Sequence, residues 1–412
     1  MIAVNAERLM RDLDELGAIG RVTEGGITRA SFGHADLEAR QWYLARCAEA
    51  GLDARVDGIG NIIVSLRSTP EVASRAAVWS GSHIDTVPNG GAFDGALGAL
   101  AALETLRTVQ ERGIELARPV NAMVYADEEG NFASLLGSGA LVRGYAREEL
   151  ERMVGRDGDR FVDAFVAAGG DIDAATRTIV AADSVHATVE LHIEQGPVLE
   201  DLRRQIGVVT GIVGLGDGTV TFRGRADHAG TTPMGRRQDA LVSASAFVVS
   251  MPDLASQIGA DSVITCGLVR VDNGSSNVVP GIVHVTVEFR DRDPGRMRAL
   301  ERLIGETALA IAGHHRVAAE WTCEPVIPPV PMDAGIQAMI AGHANARGLT
   351  TLSLMSGAGH DSQNLAALAP TGMIFVPSAG GRSHRPDEYT SSVDIENGAN
   401  VLLDTLIQLA TG

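Results

Sequence analysis

The sequence contains little cysteine, few aromatic residues and no obvious long apolar run. Its three cysteines, Cys47, Cys266 and Cys323, are odd in number, widely spaced and outside any CxxC motif. This pattern excludes a disulfide framework and predicts reduced thiols in a cytoplasmic protein. No apolar run approaches the ~18 residues that span a bilayer. The N-terminal residues lack the apolar core of a signal peptide, so we expect neither a membrane span nor a secretory leader.

Positive charge is also scarce, with 34 lysine and arginine residues against 52 acidic ones and a formal net charge of −18 at pH 7. Such a surface repels nucleic acid and anionic lipid, so we expect neither as a partner, and its ordinary consequence is solubility. A length of 412 residues is long for one core and predicts two domains. Abundant glycine (48 residues) together with 4% aromatics fits a loop-rich α/β protein.

The pattern of strand-like and helix-like runs differs between two parts of the chain. Up to about residue 210, strand-like and helix-like runs alternate, as in βαβ units of a parallel sheet. From Gly211 the strand-like runs alternate with period two, most clearly over 282–289, which is typical of half-exposed antiparallel strands. After the proline-dense residues 324–331, the alternation of helix-like and strand-like runs resumes. The sequence predicts an α/β fold with a discontinuous domain, 1–210 and 327–412, built on a mixed, largely parallel sheet, and an α+β domain inserted at 211–326.

Polar side chains follow two apolar, strand-like runs. His83, Asp85 and Asp94 come after the strand predicted over 76–79, and Glu128-Glu129 come after the strand predicted over 120–124. Ligand sites of open α/β sheets gather at such strand ends. Taken singly, each motif also has an ordinary explanation: a structural polar cluster, an aspartate capping a helix, or a solvated loop.

Two further histidines occur at the ends of apolar strands. His192 ends the strand predicted over 187–192, and His384 lies in a turn after the strand predicted over 373–376. Adjacent carboxylates such as Glu128 and Glu129 repel each other unless cations or protons compensate. The convergence of three histidines with these carboxylates predicts a two-metal site. Metal ions with a nearby general base can hydrolyse an unactivated C–N bond with water.

The motifs resemble those of the M20-type metal-dependent amidases, and within them the hydantoinase/carbamoylase branch. That branch includes N-carbamoyl-L-amino-acid hydrolases, β-ureidopropionases and allantoate amidohydrolases. The resemblance runs from Gly26-Ile27-Thr28-Arg29 to the segment ending at His384. Its most specific parts are Glu190–Glu200 (ELHIEQGPVLE) and His228–Met234 (HAGTTPM).

The resemblance implies a role for most of these polar residues. One metal ion is implied to bind His83, Asp94 and His192, with Asp94 bridging to a second ion on Glu129 and His384. Glu128 is implied as the general base, and Asp85 as the partner that orients His83. The implied substrate contacts are His228, which polarises the scissile carbonyl and often comes from the other subunit of a dimer, Asn277 and Arg290, which hold the substrate carboxylate, and Gln195, Gly357 and Gly359.

The expected activity is hydrolysis of an N-carbamoyl amino acid to amine, CO2 and ammonia, with two divalent ions as cofactors. Zinc is the first candidate, and manganese, cobalt and nickel are the others. The resemblance also implies a homodimer formed through the insert, which would act as a lid and dimerisation domain. The alternatives are an allantoate amidohydrolase, an N-acyl-amino-acid amidase on the same fold, and a metal-free, non-catalytic homologue. The presence of all five implied ligands disfavours the last.

The sequence departs from the family pattern beside the implied base. After Glu-Glu-Gly the family commonly has a small residue, then arginine and phenylalanine, whereas here Gly130 is followed directly by Asn131-Phe132. The segments Gly137–Gly139 and Gly214–Asp217 also lack residues that are usual in the family. These changes leave the implied metal ligands intact and alter the expected wall of the substrate pocket.

Overall fold

The computed structural model describes the whole chain, from Met1 to Gly412, as two compact units. The first comprises Met1–Thr210 and Met332–Gly412, and the second comprises Gly211–Pro331.

The chain returns to the first unit at Met332 rather than at 327. Ile327 forms an isolated bridge with Leu215, and Val330 and Pro331 pair with Ile212 and Gly211. The proline-dense segment is therefore tied to the start of the second unit by backbone pairing.

The helices, in chain order, are α1 Ala6–Ala18, α2 His34–Glu49, α3 Pro70–Ala73, α4 Ala96–Glu111, α5 Leu136–Val142, α6 Arg147–Arg152, α7 Phe161–Ala167, α8 Ile172–Ala175, α9 Val198–Asp201, α10 Ala240–Ile258, α11 Pro294–His315, α12 Ala334–Ala346, α13 Asp361–Leu365 and α14 Ser392–Thr411. The strands are β1 Asp53–Val56, β2 Ile62–Ser65, β3 Ala77–His83, β4 Val120–Tyr125, β5 Val185–Ile193, β6 Ile206–Ile212, β7 Gly214–Arg223, β8 Asp227–His228, β9 Val263–Val271, β10 Val278–Val279, β11 Ile282–Asp291, β12 Ala318–Cys323, β13 Val330–Pro331, β14 Thr351–Ser356 and β15 Thr371–Val376.

The main sheet has the strand order β1-β2-β4-β3-β5-β15-β6-β13, with β14 beside β6. Its four central strands, β4, β3, β5 and β15, are parallel, while β2 and β6 join them antiparallel. Every residue of β3 and β15 is buried, as expected for central parallel strands covered on both faces. The predicted mixed sheet with a parallel core is confirmed.

Helix α4 is the central helix of the first unit and packs against β3, β4, α1 and α14. Its residues from Ala96 to Val109 are all buried, and those from Ala96 to Leu103 are all alanine, glycine or leucine. The buried charges that follow are paired, Glu104 with Arg8 and Arg107 with Asp12. Leu97, Leu100 and Leu103 are at most 1% exposed, so truncating one of them to alanine should cost about 2–5 kcal/mol.

The second unit has a four-stranded antiparallel sheet of order β12-β7-β11-β9, with α10 and α11 packed against it. Strand β11 alternates strictly, and its buried positions include Val283, Val285, Val287 and Phe289. These side chains share one hydrophobic core with residues of the two helices. The period-two pattern therefore predicted the buried face of this strand correctly.

Helix α10 begins at Ala240 and runs through Pro252 to Ile258. By length and composition alone it could cross a membrane, which corrects our expectation that no apolar run is long enough. Ala244, Phe247 and Met251 bury one side of this helix in the core of the second unit. A packed core helix of a globular unit accounts for the same composition.

Candidate metal centre

Four parallel strands carry the implied metal ligands to one edge of the main sheet. His83 ends β3, His192 lies one residue before the end of β5, and Glu128 and Glu129 follow β4. His384 lies in a turn after β15. Since β4, β3, β5 and β15 are adjacent and parallel, their carboxyl ends bring these side chains together.

The first group of possible ligands is fully buried. The ligand atoms of His83, Asp94 and His192 all lie within 4.8 Å of one another. Oδ1 of Asp94 is 3.2 Å from Nε2 of His192 and 3.7 Å from Nε2 of His83. The Nδ1 atoms of the two rings lie 3.0 and 2.9 Å from the backbone carbonyl oxygens of Asp85 and Ile193. Each Nδ1 therefore donates its proton to a carbonyl, which leaves the lone pair of Nε2 facing Asp94 and able to bind a metal ion. Nε2 of His192 also accepts the N–H of Gly95 at 3.2 Å.

The second group shares Asp94 with the first. The ligand atoms of Asp94, Glu129 and His384 also lie within 4.8 Å of one another. Nε2 of His384 is 3.2 Å from Oδ2 of Asp94 and 3.7 Å from Oε1 of Glu129. His384 is half exposed and has a left-handed backbone, with φ of 57°. The structure thus brings all five implied ligands together around one carboxylate.

Gly95 permits this close arrangement beside Asp94. Its φ of 65° lies in the left-handed region, which glycine adopts without steric cost. A Cβ atom at this position would lie 2.4 Å from the imidazole ring of His83. Glycine is therefore required at position 95 by backbone conformation and by space.

Glu128, the implied base, lies beside the first group, with Oε2 3.5 Å from Nε2 of His83. The carboxylate of Asp85 accepts the N–H of Glu129 at 3.1 Å and that of Glu128 at 3.4 Å. It is 3.6 Å from Nδ1 of His83, whose hydrogen bond goes to the backbone carbonyl of Asp85 instead. Asp85 therefore holds the backbone of the glutamate pair as much as it orients His83.

The buried carboxylates of the centre repel one another, so bound cations would stabilise their ionised forms. Burial, with the neighbouring Asp361 and Glu129, raises the pKa of Glu128 well above its usual range despite the opposing influence of His83. Burial and the charge of Asp94 raise the pKa of Glu129 to about 7. Imidazole nitrogens and carboxylate oxygens are donors that suit zinc, manganese, cobalt and nickel. The residues present therefore fit a pair of divalent ions.

The sequence did not single out Asp127, which shapes the loop that carries both glutamates. Its φ is 54°, and its carboxylate accepts the backbone N–H groups of Asn131, Phe132 and Ala133 at 2.7, 2.9 and 2.9 Å. Burial and the charge of Asp85 raise its pKa to about 6. An aspartate just ahead of a Gly-Asn turn was the available signal, because aspartate side chains commonly bond to backbone groups a few residues on.

Three further residues predicted to contact substrate lie in the first unit. Gln195 has a φ of 59° and donates from Nε2 to Oδ2 of Asp94 at 2.8 Å. Gly357 and Gly359 lie in the loop after β14, where Ser356 Oγ accepts the N–H of Ala358 at 3.1 Å. Gln195 therefore contacts a ligand residue directly.

The other predicted contacts, His228, Asn277 and Arg290, belong to the second unit. His228 pairs with Val278 in a two-stranded ladder, which places it next to Asn277. Nδ1 of His228 accepts the N–H groups of Gly230 and Thr231 at 3.1 and 3.2 Å. In the neutral ring the proton is then on Nε2, which makes that nitrogen a donor. Arg290, on β11, donates from Nε to Glu288 at 2.9 Å.

Comparison with known proteins agrees with this geometry. Residues 79–408 match the family described as peptidase family M20/M25/M40, and the chain belongs to this family. It is 39% identical to an N-carbamoyl-L-amino-acid amidohydrolase of Paenarthrobacter aurescens, over 97% of this chain and 96% of the relative. It is 35% identical to the allantoate amidohydrolase of Escherichia coli, over 100% and 99%. A hydantoinase/carbamoylase-family amidase from Burkholderia multivorans has a similar crystal structure, with a TM-score of 0.89, 34% identity and coverage of 100% and 99%.

Proposed function

We propose that this protein is a two-metal amidohydrolase that cleaves the C–N bond of an N-carbamoyl amino acid with water. The products are the amino acid, CO2 and ammonia. The observation that carries the proposal is Asp94, shared by two groups of possible ligands with Glu128 beside them. Relatives named as amidohydrolases of N-carbamoyl amino acids and of allantoate support the same reaction class.

The chain's own residues supply proton transfer and binding. Two divalent ions held by the five ligands would polarise the scissile carbonyl and make a bound water more acidic. Glu128 accepts the proton of the attacking water and returns it to the leaving nitrogen, a task that suits a buried carboxylate beside the ligand group. His228 of the other subunit in the proposed dimer would donate from Nε2 to the carbonyl oxygen as negative charge develops there. Zinc is our first candidate, ahead of manganese, cobalt and nickel.

The substrate class follows from the groups that can bind a carboxylate. Arg290 offers a planar guanidinium fork and Asn277 an amide, which together suit a small carboxylate. In a chain of net charge −18, an acidic substrate needs such a local positive group. We therefore favour N-carbamoyl amino acids over allantoate. These candidates can be separated with a panel of N-carbamoyl amino acids, allantoate and N-acyl amino acids. The assay measures the ammonia and the amine released from each compound.

We also propose that the second unit acts as a lid and dimer contact, and that the protein is a cytoplasmic homodimer. Strand β9 ends the second sheet and exposes Val263, Leu268 and Val269, which a partner could cover. The three cysteines are unpaired, as expected for a reducing compartment. Light scattering should give twice the 43.1 kDa of one chain, and a fully active monomer would contradict the dimer.

Glu128→Gln is the direct test of the mechanism. It keeps the shape of the side chain but removes the group that takes the proton, so turnover should fall by at least ~10²-fold. Elemental analysis should still find the metal content of the wild type, because Glu128 is not an implied ligand. Glu148→Gln, an exposed change of the same type, is the control. Near-normal turnover of a metal-replete Glu128→Gln protein would refute the assignment.

Arg290→Lys tests the substrate class. An ammonium group cannot reproduce the guanidinium fork, so KM for N-carbamoyl amino acids should rise sharply while kcat changes less. Arg292→Lys is a matched control, since Arg292 is more exposed and pairs with Asp261. An unchanged KM in Arg290→Lys, or a wild type that prefers an uncharged amide, would contradict the carboxylate assignment.

A further inference from the structure

The two oxygens of Asp94 have different surroundings. Oδ1 faces the rings of His192 and His83, and Oδ2 faces His384. Oδ2 also lies 2.8 Å from Nε2 of Gln195 and 2.8 Å from Oγ of Ser383. The second oxygen therefore has two neutral hydrogen-bond partners in addition to the histidine.

Glu388 contacts the backbone next to the same aspartate. Its Oε1 accepts the backbone N–H groups of Phe93 and Asp94 at 2.9 and 3.0 Å, and its Oε2 lies 2.8 Å from Oγ of Ser383. The residue is 6% exposed, and a Cβ atom on Gly91 would lie 2.2 Å from its carboxyl group. One tightly packed carboxylate thus fixes the backbone of Asp94 directly, and the Ser383 hydroxyl, which has one proton to donate, lies between the carboxyl groups of Glu388 and Asp94.

The contacts of Glu388 lie on the side of the centre that holds His384. Ser383 precedes His384, and the N–H of Glu388 bonds to the carbonyl of Arg385, which closes a turn over 385–388 directly after His384. His83 and His192 are instead fixed by the backbone carbonyls of Asp85 and Ile193 and are at most 2% exposed. Loss of Glu388 should therefore loosen the turn of His384 and Oδ2 of Asp94, and affect the buried histidine pair less.

We propose that Glu388 and Ser383 are positioning residues for Asp94 and set the affinity for the ion on the Glu129–His384 side. The proposal rests on the two-metal function inferred above. Residues that hold metal ligands in place typically contribute about 10–100-fold in affinity. The ion held by His83 and His192 should be affected less, because it shares Asp94 but its two histidines are fixed by backbone carbonyls.

Metal titration of chelator-treated protein tests the proposal without measuring activity. Zn²⁺ or Mn²⁺ is titrated by calorimetry into wild type, Ser383→Ala, Glu388→Ala and Glu388→Gln. We expect two ions in each, with one Kd raised about 10–100-fold in the alanine variants and the other raised clearly less. Glu388→Gln should recover part of the loss, because its amide oxygen still accepts the two backbone N–H groups. Ser383→Ala keeps the test valid if Glu388→Ala does not fold.

Asp387→Asn is the matched control, because it removes the same charge one residue earlier from an exposed side chain that pairs with Arg385. Equal weakening of both ions, or an Asp387→Asn protein that behaves like Glu388→Ala, would overturn the positioning role. A wild type that binds two ions but hydrolyses no amide or ureido compound would refute the proposed function and leave this inference standing. A wild type that binds fewer than two ions would refute both.

Discussion

Replacing Asp127 by alanine tests whether one buried carboxylate organises the loop of the general base. Three backbone N–H groups, those of Asn131, Phe132 and Ala133, would lose their acceptor. Hydrogen bonds to charged groups contribute roughly 1.5–3 kcal/mol each. Because water and a shifted loop can replace part of this, we expect a loss of about 3–5 kcal/mol in the free energy of unfolding. Asp127→Asn keeps one acceptor oxygen and should lose about 1–2 kcal/mol.

The same change should impair catalysis, because Glu128 and Glu129 follow Asp127 directly in the chain. A displacement of about 1 Å can cost ~10²-fold in rate. We therefore expect kcat of Asp127→Ala to fall by at least about tenfold. Thermal unfolding with bound metal and steady-state kinetics measure the two effects. Asp239→Ala removes a comparable backbone acceptor at the start of α10 in the second unit, and should lower stability by about 1 kcal/mol without changing kcat. An Asp127→Ala protein with wild-type melting temperature and kcat would refute the reasoning.

Two other predictions concern the metal ligands. Gly95→Ala should abolish binding of the first ion, because its Cβ would lie 2.4 Å from the His83 ring and its φ of 65° disfavours alanine; a metal content equal to wild type would contradict this. Metal-free protein should lose stability as pH rises. Glu129 has a folded pKa of about 7 and an unfolded pKa of about 4.3, so the folded state binds more protons between these values. Melting temperatures at about pH 5 and pH 7.5 in chelator should differ by the equivalent of about 2–3 kcal/mol, in favour of pH 5, and bound metal should reduce the difference. A metal-free protein equally stable at both values would contradict this.

Much of the fold was predictable because its signals are local. The apolar run of α4 and the period-two pattern of β11 depend on which residues face a core, and both are visible in a short window of sequence. The length of α10 was not predictable in the same way. Proline at position 252 indicates a helix end on local grounds, yet packing of Phe247 and Met251 in one core keeps the helix continuous.

The candidate site was predictable in its ligand types and not in its hydrogen bonds. His83, His192 and His384 each follow an apolar strand, so their convergence could be inferred from the rule for parallel strand ends. The contact between Glu388 and the Phe93–Asp94 backbone joins residues that are 295 and 294 positions apart in the chain. No local pattern encodes such a contact, since it exists only after β15 has entered the sheet.

The position of β15 has a consequence for the order of folding. This strand, Thr371–Val376, lies between β5 and β6, which are formed from residues more than 150 positions earlier along the chain by the numbering above. During synthesis, β5 therefore emerges long before β15. Until β15 is made, the edge of β5 that will pair with it stays open, and the side chains of β5 are ones that the folded sheet buries. The second unit, formed by one continuous segment, has no such delay. The main sheet should close late, through contacts of high sequence separation that form slowly, and His384 reaches the other ligands in that same last step.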